Sequence, residues 1–203
     1  MTLALDDCSD GELAALAIAG QQTAYTAMLN RHRESVFRLV RGTIGDNDAA
    51  VDVTQEAFVA AFAALKSYDN TRSFKTWMSR IAINKSRDWA RRRAVRRFFS
   101  FAMPIDAANS IADTSVPVDQ QLADCAELAR VQEAIAKLPL ALREPLVLRT
   151  IEAMTQAETA QVLGISEKAV ETRLYRARRR LIDYLRDDRA GRVSRSDRLS
   201  ETT

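Results

Sequence analysis

Apolar residues recur along this chain at intervals of three and four, the spacing of helices with one buried face. Ser9 followed by Glu12 is a capping-box signature that opens a short apolar helix through Ile18, with Gly20 as its stop. A second helix is predicted over residues 23–41, carrying Tyr25, Met28, Leu29, Val36, Leu39 and Val40 at helical spacing, with Gly42 and Gly45 breaking it. Asp46 or Asn47 caps a third helix that ends near Leu65. Its Val51, Phe58, Phe62 and Leu65 form one face; Val53, Ala57, Ala60 and Ala64, flanked by Asp52 and Glu56, lie opposite. A helix apolar around most of its circumference is either deeply buried or touches a partner. After a turn at residues 68–70, Ser73 caps a fourth helix from Phe74 to about Arg93.

The pattern then lapses. Residues 100–124 contain no Lys or Arg, but do contain Asp106, Asp113, Asp119 and Asp124, punctuated by Pro104 and Pro117. Such a stretch is either a solvated tether or, being acidic, a strand able to lie in a positively charged channel. Helical periodicity resumes from Cys125 to Leu185, and from Asp187 the tail is polar and expected to fray. The expected fold is all-α: two small helical domains, 10–97 and 126–186, joined by a flexible linker at 98–125 and followed by a disordered tail at 187–203.

Composition narrows the chemistry. Among 203 residues there are two cysteines and one histidine, His32, which weighs against a disulfide scaffold, a metalloenzyme and a Ser–His hydrolase. No stretch approaches the roughly 20 apolar residues that span a bilayer, and no basic N-terminal segment reads as a secretory signal, so the expected compartment is the cytoplasm. No cofactor and no metal is expected, and no enzyme. The net charge is only +3, yet the positive charge is concentrated. Residues 84–97 hold Lys85, Arg87, Arg91, Arg92, Arg93, Arg96 and Arg97 against the single Asp88. Phosphate backbone is the commonest anion of matching density, and the nearby Tyr68, Phe74, Trp77 and Trp89 suit unstacked bases. The alternative is a solvated basic face over an aromatic core.

The second basic stretch is more specific. Residues 155–166 read as a helix, a turn at Gly164 and a new cap at Ser166, with Ala160 small where two helices cross. On the helix that follows, Val170, Leu174, Ala177 and Leu181 fall on the inner face; Lys168, Thr172, Tyr175, Arg176 and Arg179 fall on the outer. That is a helix-turn-helix whose second helix carries hydroxyls and guanidiniums for the major groove.

The two modules together resemble a bacterial RNA polymerase sigma factor of the extracytoplasmic-function group of the sigma-70 family. Asp52-Val53-Thr54-Gln55-Glu56-Ala57-Phe58 is similar to its D-x-x-Q-E-x-F segment, and residues 74–84 resemble its F-x-x-W-L-x-R-I-A-x-N segment. Asp88 with Arg91-Arg92-Arg93 matches its D-x-x-R-R-R ending, Leu138-Pro139 with Arg143 its L-P-x-x-x-R opening, and residues 170–178 its recognition helix. The resemblance implies that the first domain is sigma region 2, which docks on core RNA polymerase through Asp52, Gln55, Glu56 and Val59. It implies that this domain opens the promoter −10 element with Tyr68, Ser73, Arg80, Asn84, Lys85, Arg91 and Arg92, capturing a flipped base between the 68–73 loop and the helix bearing Asn84. The second domain, sigma region 4, would read the −35 element of promoter DNA with Lys168, Thr172, Tyr175, Arg176 and Arg179. An anti-sigma factor covering the polymerase-binding surfaces is the implied control.

Two positions depart from the family pattern: Glu171 stands where Lys or Arg is usual, and Thr172 where Ser is. Glu171 either accepts from a cytosine amine or pairs with Lys168 or Arg178. The competing function is a free-standing helix-turn-helix regulator that acts without polymerase. A nucleic-acid enzyme is poorly supported, because no metal-spaced carboxylate cluster or Gly-rich phosphate loop is present.

Overall fold

The computed structural model describes the backbone of residues 5–102 and 119–200, with side chains over 5–99 and 127–188. Within these the secondary structure is helical. The helices are α1 (Asp10–Ile18), α2 (Gln22–Ile44), α3 (Asn47–Ala63), α4 (Phe74–Ala102), α5 (Asp119–Lys137), α6 (Leu140–Thr150), α7 (Gln156–Leu163) and α8 (Glu167–Ser200).

The predicted start signals act as expected. Ser9 and Glu12 form a reciprocal capping box on α1, Asp46 accepts from the Ala49 amide to cap α3, and the Ser73 hydroxyl accepts from the Thr76 amide at the head of α4. Several boundaries differ from expectation. Gly42 does not break α2, which runs on to a left-handed Gly45 at φ 70°. Gly42 is instead where another helix comes close, since a β-carbon there would meet Val147 at 3.0 Å.

Both apolar sides of α3 contribute to the core. Its small residues Ala50, Val53, Ala57 and Ala61 are buried against α2 and α4, while Val51 and Val59 are 47% and 70% exposed. Phe58 is buried too, so the core takes one and a half faces of this helix.

α4 continues past Arg93 to Ala102, and three of its cations are paired: Arg91 with Asp88, Arg92 with Glu56 at 3.1 Å, and Arg93 with Asp46 at 3.0 Å. α5 begins at Asp119, inside the expected linker, in a run rich in Ala, Leu, Gln and Glu. Residues 103–118, the rest of that linker, lie outside the described residues. α8 passes Leu185 without ending and is helical to Ser200, where fraying was expected; Asp188 is tied back to Arg130 of α5 at 2.9 Å.

The helices form two modules, α1–α4 and α5–α8, and the modules are packed together. Leu13, Met28, Leu39, Phe74, Met78 and Ile83 centre the first core, and Val147, Leu148, Met154, Val162 and Leu163 of the second module join it. A smaller core of Leu138, Leu146, Ala160, Val170, Leu174 and Ala177 holds α6, α7 and α8 together.

Candidate nucleic-acid interface

The helix-turn-helix is built by local signals. Thr155 and Glu158 form a capping box on α7, and Gly164 at φ 67°, ψ 37° terminates it, its amide bonding to the Ala160 carbonyl. Ser166 accepts from the Ala169 amide to start α8, and Gln156 of α7 donates across the turn to the Glu167 carbonyl at 3.2 Å. Val170, Leu174 and Ala177 are buried, so the opposite face is fixed outward: Lys168, Thr172, Tyr175, Arg176 and Arg179 are all exposed. Arg179 lies 5.9 Å from the Tyr175 ring centroid, which turns two of these side chains into one flat cationic patch. Glu171 pairs with Lys168 at 2.8 Å and holds its ammonium above the usual lysine range, so one groove-facing cation is partly neutralised.

At the other module, the 68–73 loop is tightly self-bonded. The Asp69 carboxylate accepts from the Thr71 hydroxyl at 2.7 Å and amide at 3.0 Å, bonds that keep its pKa below the usual carboxylate value, and it pairs with Arg72. The Tyr68 hydroxyl donates to the Arg72 carbonyl at 2.7 Å, and burial pushes that phenol up. Below the loop the Tyr68 ring meets Phe74 and Trp77 at centroid distances of 5.2 and 5.3 Å. Together the loop and the head of α4 enclose a cavity of about 130 Å³ lined by Tyr68, Ser73, Thr76, Trp77 and Arg80. Asn84 lies one turn beyond Arg80 on the same exposed side but outside that lining. Lys85 is elsewhere: it shares a shallow groove with Asp52, Gln55, Glu56 and Val59. Arg91 and Arg92 are exposed on α4, Arg92 reaching Glu56.

Beside that groove lies a larger, more apolar one between α2 and α3, about 710 Å³, lined by Leu29, Phe37, Val51, Phe58, Val59 and Phe62. Gln55 and Val59 border both. The Thr54 hydroxyl at its floor is buried without a hydrogen-bond partner.

Family comparison accounts for both modules at once. Residues 28–96 match the sigma-70 region 2 model, and residues 128–181 match the sigma-70 region 4 model. The RNA polymerase sigma factor CnrH of Cupriavidus metallidurans is 39% identical over 183 residues, 89% of this chain and 96% of that protein. The chain belongs to the sigma-70 family, in its extracytoplasmic-function group. The ECF RNA polymerase sigma factor SigM of Mycobacterium tuberculosis is 30% identical over 87% of this chain and 85% of its own length. The solved structure of CnrH with the cytosolic domain of CnrY superposes with a TM-score of 0.64 at 35% identity, covering 88% of this chain and 98% of that one. The protein is therefore an RNA polymerase sigma factor, a transcription initiation factor, and the free-standing regulator is set aside because the match spans both modules.

Sequence reasoning overlooked how much of this sigma factor's charge is spent between its modules. Arg87 forks onto Glu144 at 2.6 and 2.7 Å, which raises the guanidinium pKa further, and Lys75 and Arg38 face Glu152. The only signal was a glutamate set among apolar neighbours, as in Glu144-Pro145-Leu146-Val147-Leu148. Among the described residues no helix is long and apolar enough to cross a membrane, and no group of three His, Cys, Asp or Glu is placed to hold a metal ion.

Proposed function

We propose that this sigma factor docks on core RNA polymerase through the outward side of α3, using Asp52, Gln55, Glu56 and Val59. These four border one continuous surface with the apolar groove beside them. Apolar area rimmed by carboxylates suits a partner that offers both aliphatic and basic side chains. The cavity under the 68–73 loop receives a base flipped from the −10 element, with Tyr68, Ser73 and Arg80 at its wall and Asn84, Lys85, Arg91 and Arg92 along the departing strand. Flipping costs a few kcal/mol, which stacking on Tyr68 and Trp77 offsets. Lys168, Thr172, Tyr175, Arg176 and Arg179 enter the major groove at −35. We place the domain limits at 10–97 and 126–186; the matched regions, 28–96 and 128–181, fall inside them.

An anti-sigma factor holds the chain inactive by covering the α2–α3 groove, in competition with polymerase. The complex of CnrH with a domain of another protein, described as cytosolic, supports this and a site of action in the cell interior. The observation that carries the reading is the exposed, cation-rich outer face of α8, opposite a buried inner face and following a left-handed glycine turn. Reconstitution tests it: the purified chain added to core RNA polymerase should direct transcription from its own upstream region. Failure to bind core polymerase with no inhibitor present would overturn it.

A further inference from the structure

Two carboxylates of the second module are buried with the first module supplying their polar neighbours, although the Oε1 of Glu152 has only ion-pair contact and no hydrogen bond. Glu144 is 2% exposed and receives both prongs of Arg87. Glu152, 1% exposed, accepts from the Ser35 hydroxyl, with Lys75 and Arg38 each at 3.6 Å, and its carbonyl accepts from Lys75 at 2.8 Å. Among the described residues every hydrogen-bond and ion-pair partner of these two carboxylates lies in α2 or α4. Glu152 is delivered by a turn in which Ala153 sits at φ 52°, a left-handed conformation that a β-carbon disfavours. Glycines of α2 let the second module come close: a β-carbon on Gly42 would meet the Ile151 side chain at 3.2 Å, and one on Gly45 would meet the Ala136 β-carbon at 2.9 Å.

The same packing intrudes on the DNA-facing parts. Gln161 of α7 forms part of the wall of the cavity beneath the 68–73 loop. Scale decides whether this arrangement can hold a promoter. Elements near −10 and −35 lie roughly 25 base pairs apart, about 85 Å of duplex at ~3.4 Å per step. Gln161 sits in the cavity wall, and the far end of the recognition face, Arg179, is at most about 42 Å from it: roughly 25 Å of chain to Lys168 and about 17 Å along α8. The packed form cannot reach both.

We propose that the packed arrangement is a self-inhibited resting state, closed by a two-point latch: Glu144 on Arg87, and Glu152 on Ser35, Lys75 and Arg38. This rests on the promoter-spanning reading above. A buried ion pair is expensive to break one-sidedly but gains little over solvated ions once both partners are wet, so it suits a contact that is either fully made or fully released. Release frees Arg87, Lys75 and Arg38 on one side, uncovers the cavity wall at Gln161, and lets the second module travel to −35. Closure stores the chain with its apolar contact face, Val147, Leu148, Met154 and Leu163, out of water.

The test uses the full chain. Gly45→Cys with Ala136→Cys, in a Cys125→Ser background, places two thiols across the junction. With core RNA polymerase, the oxidised crosslinked chain should lose promoter-dependent transcription by more than about tenfold and regain it on reduction. Full activity while crosslinked overturns the latch. Independently, small-angle scattering of the chain alone at low salt should give a larger radius for Glu144→Gln combined with Glu152→Gln than for the unsubstituted chain. Gly42→Leu, a wedge that removes no charge, should expand it likewise. Equal radii for all three overturn the proposal, whatever polymerase does. Expansion of the variants with no transcription by the reduced chain keeps the latch and counts instead against the promoter-spanning reading.

Discussion

Arg176 is the side chain whose removal speaks most directly to groove reading. It stands on the outer face of α8, exposed, between the buried Leu174 and Ala177, and among the described residues it has no ion pair. Arg176→Ala should therefore leave folding within about 0.5 kcal/mol of the unsubstituted protein. On DNA the loss is that of a guanidinium forked onto a guanine edge or a phosphate, about 1–3 kcal/mol, or roughly 5- to 160-fold in affinity. Lys168→Ala should cost less, because that ammonium must first leave Glu171 at 2.8 Å. The assay is holoenzyme occupancy of a promoter by footprinting, repeated across a salt series. If Arg176 meets phosphate, the slope of log affinity against log salt falls by about 1; if it meets a base, the slope holds and discrimination at one position relaxes. Occupancy unchanged within twofold, with the variant folded, refutes the placement of this face in the groove.

Asn84→Ala should impair promoter melting more than closed-complex formation; normal permanganate reactivity of the −10 thymines in that variant contradicts its role on the strand. Gly164→Ala should cost about 1–2 kcal/mol in denaturant unfolding, purely from the left-handed backbone, since a β-carbon there meets nothing within 4 Å. No loss of stability would mean that the turn is not held in that conformation in solution. The Asp10 carboxyl is held below its usual value of 3.8 first by its hydrogen bond to His32, and also by Arg31. A depressed carboxylate stabilises the fold above its unfolded-state pKa, and that contribution disappears as pH falls through the folded value. Asp10→Asn should thus lower stability by about 1 kcal/mol at pH 7 and make no difference near pH 2; an equal deficit at both pH values disproves the ionic account.

What was legible in the sequence was what depends on residues within four positions of one another. The capping box at Ser9, the Gly164 turn, the cap at Ser166 and the inward stripe Val170, Leu174, Ala177 are all of that kind, and each is where it was expected; the box of Thr155 and Glu158 is equally local and was missed. The division of α3 between core and surface was not legible, because both of its sides are apolar and periodicity cannot choose between them. Packing chooses: Ala50, Ala57 and Ala61 admit α2 and α4 closely, Phe58 fills the core beside them, and Val51 and Val59 are left outside. Gly42 was misjudged because a glycine that breaks a helix and one that makes room for a neighbour look alike until the neighbour, Val147, is known.

Charge misled for the same reason. The seven cations of residues 84–97 suggest a dense free field, but Arg87, Arg91, Arg92 and Arg93 already hold carboxylates. Three of these pairs are exposed and worth at most about 1 kcal/mol each, so a phosphate can take the arginine with little loss. Arg87 differs, because Glu144 is 57 positions away and buried. Taking Arg87 for DNA while Glu144 stays in place would strand a carboxylate out of water, at a cost of roughly 3–5 kcal/mol that one phosphate contact does not repay. Arg87 becomes available only when the modules part and Glu144 is hydrated, so the positive charge that this helix offers a promoter depends on whether the second module has already left.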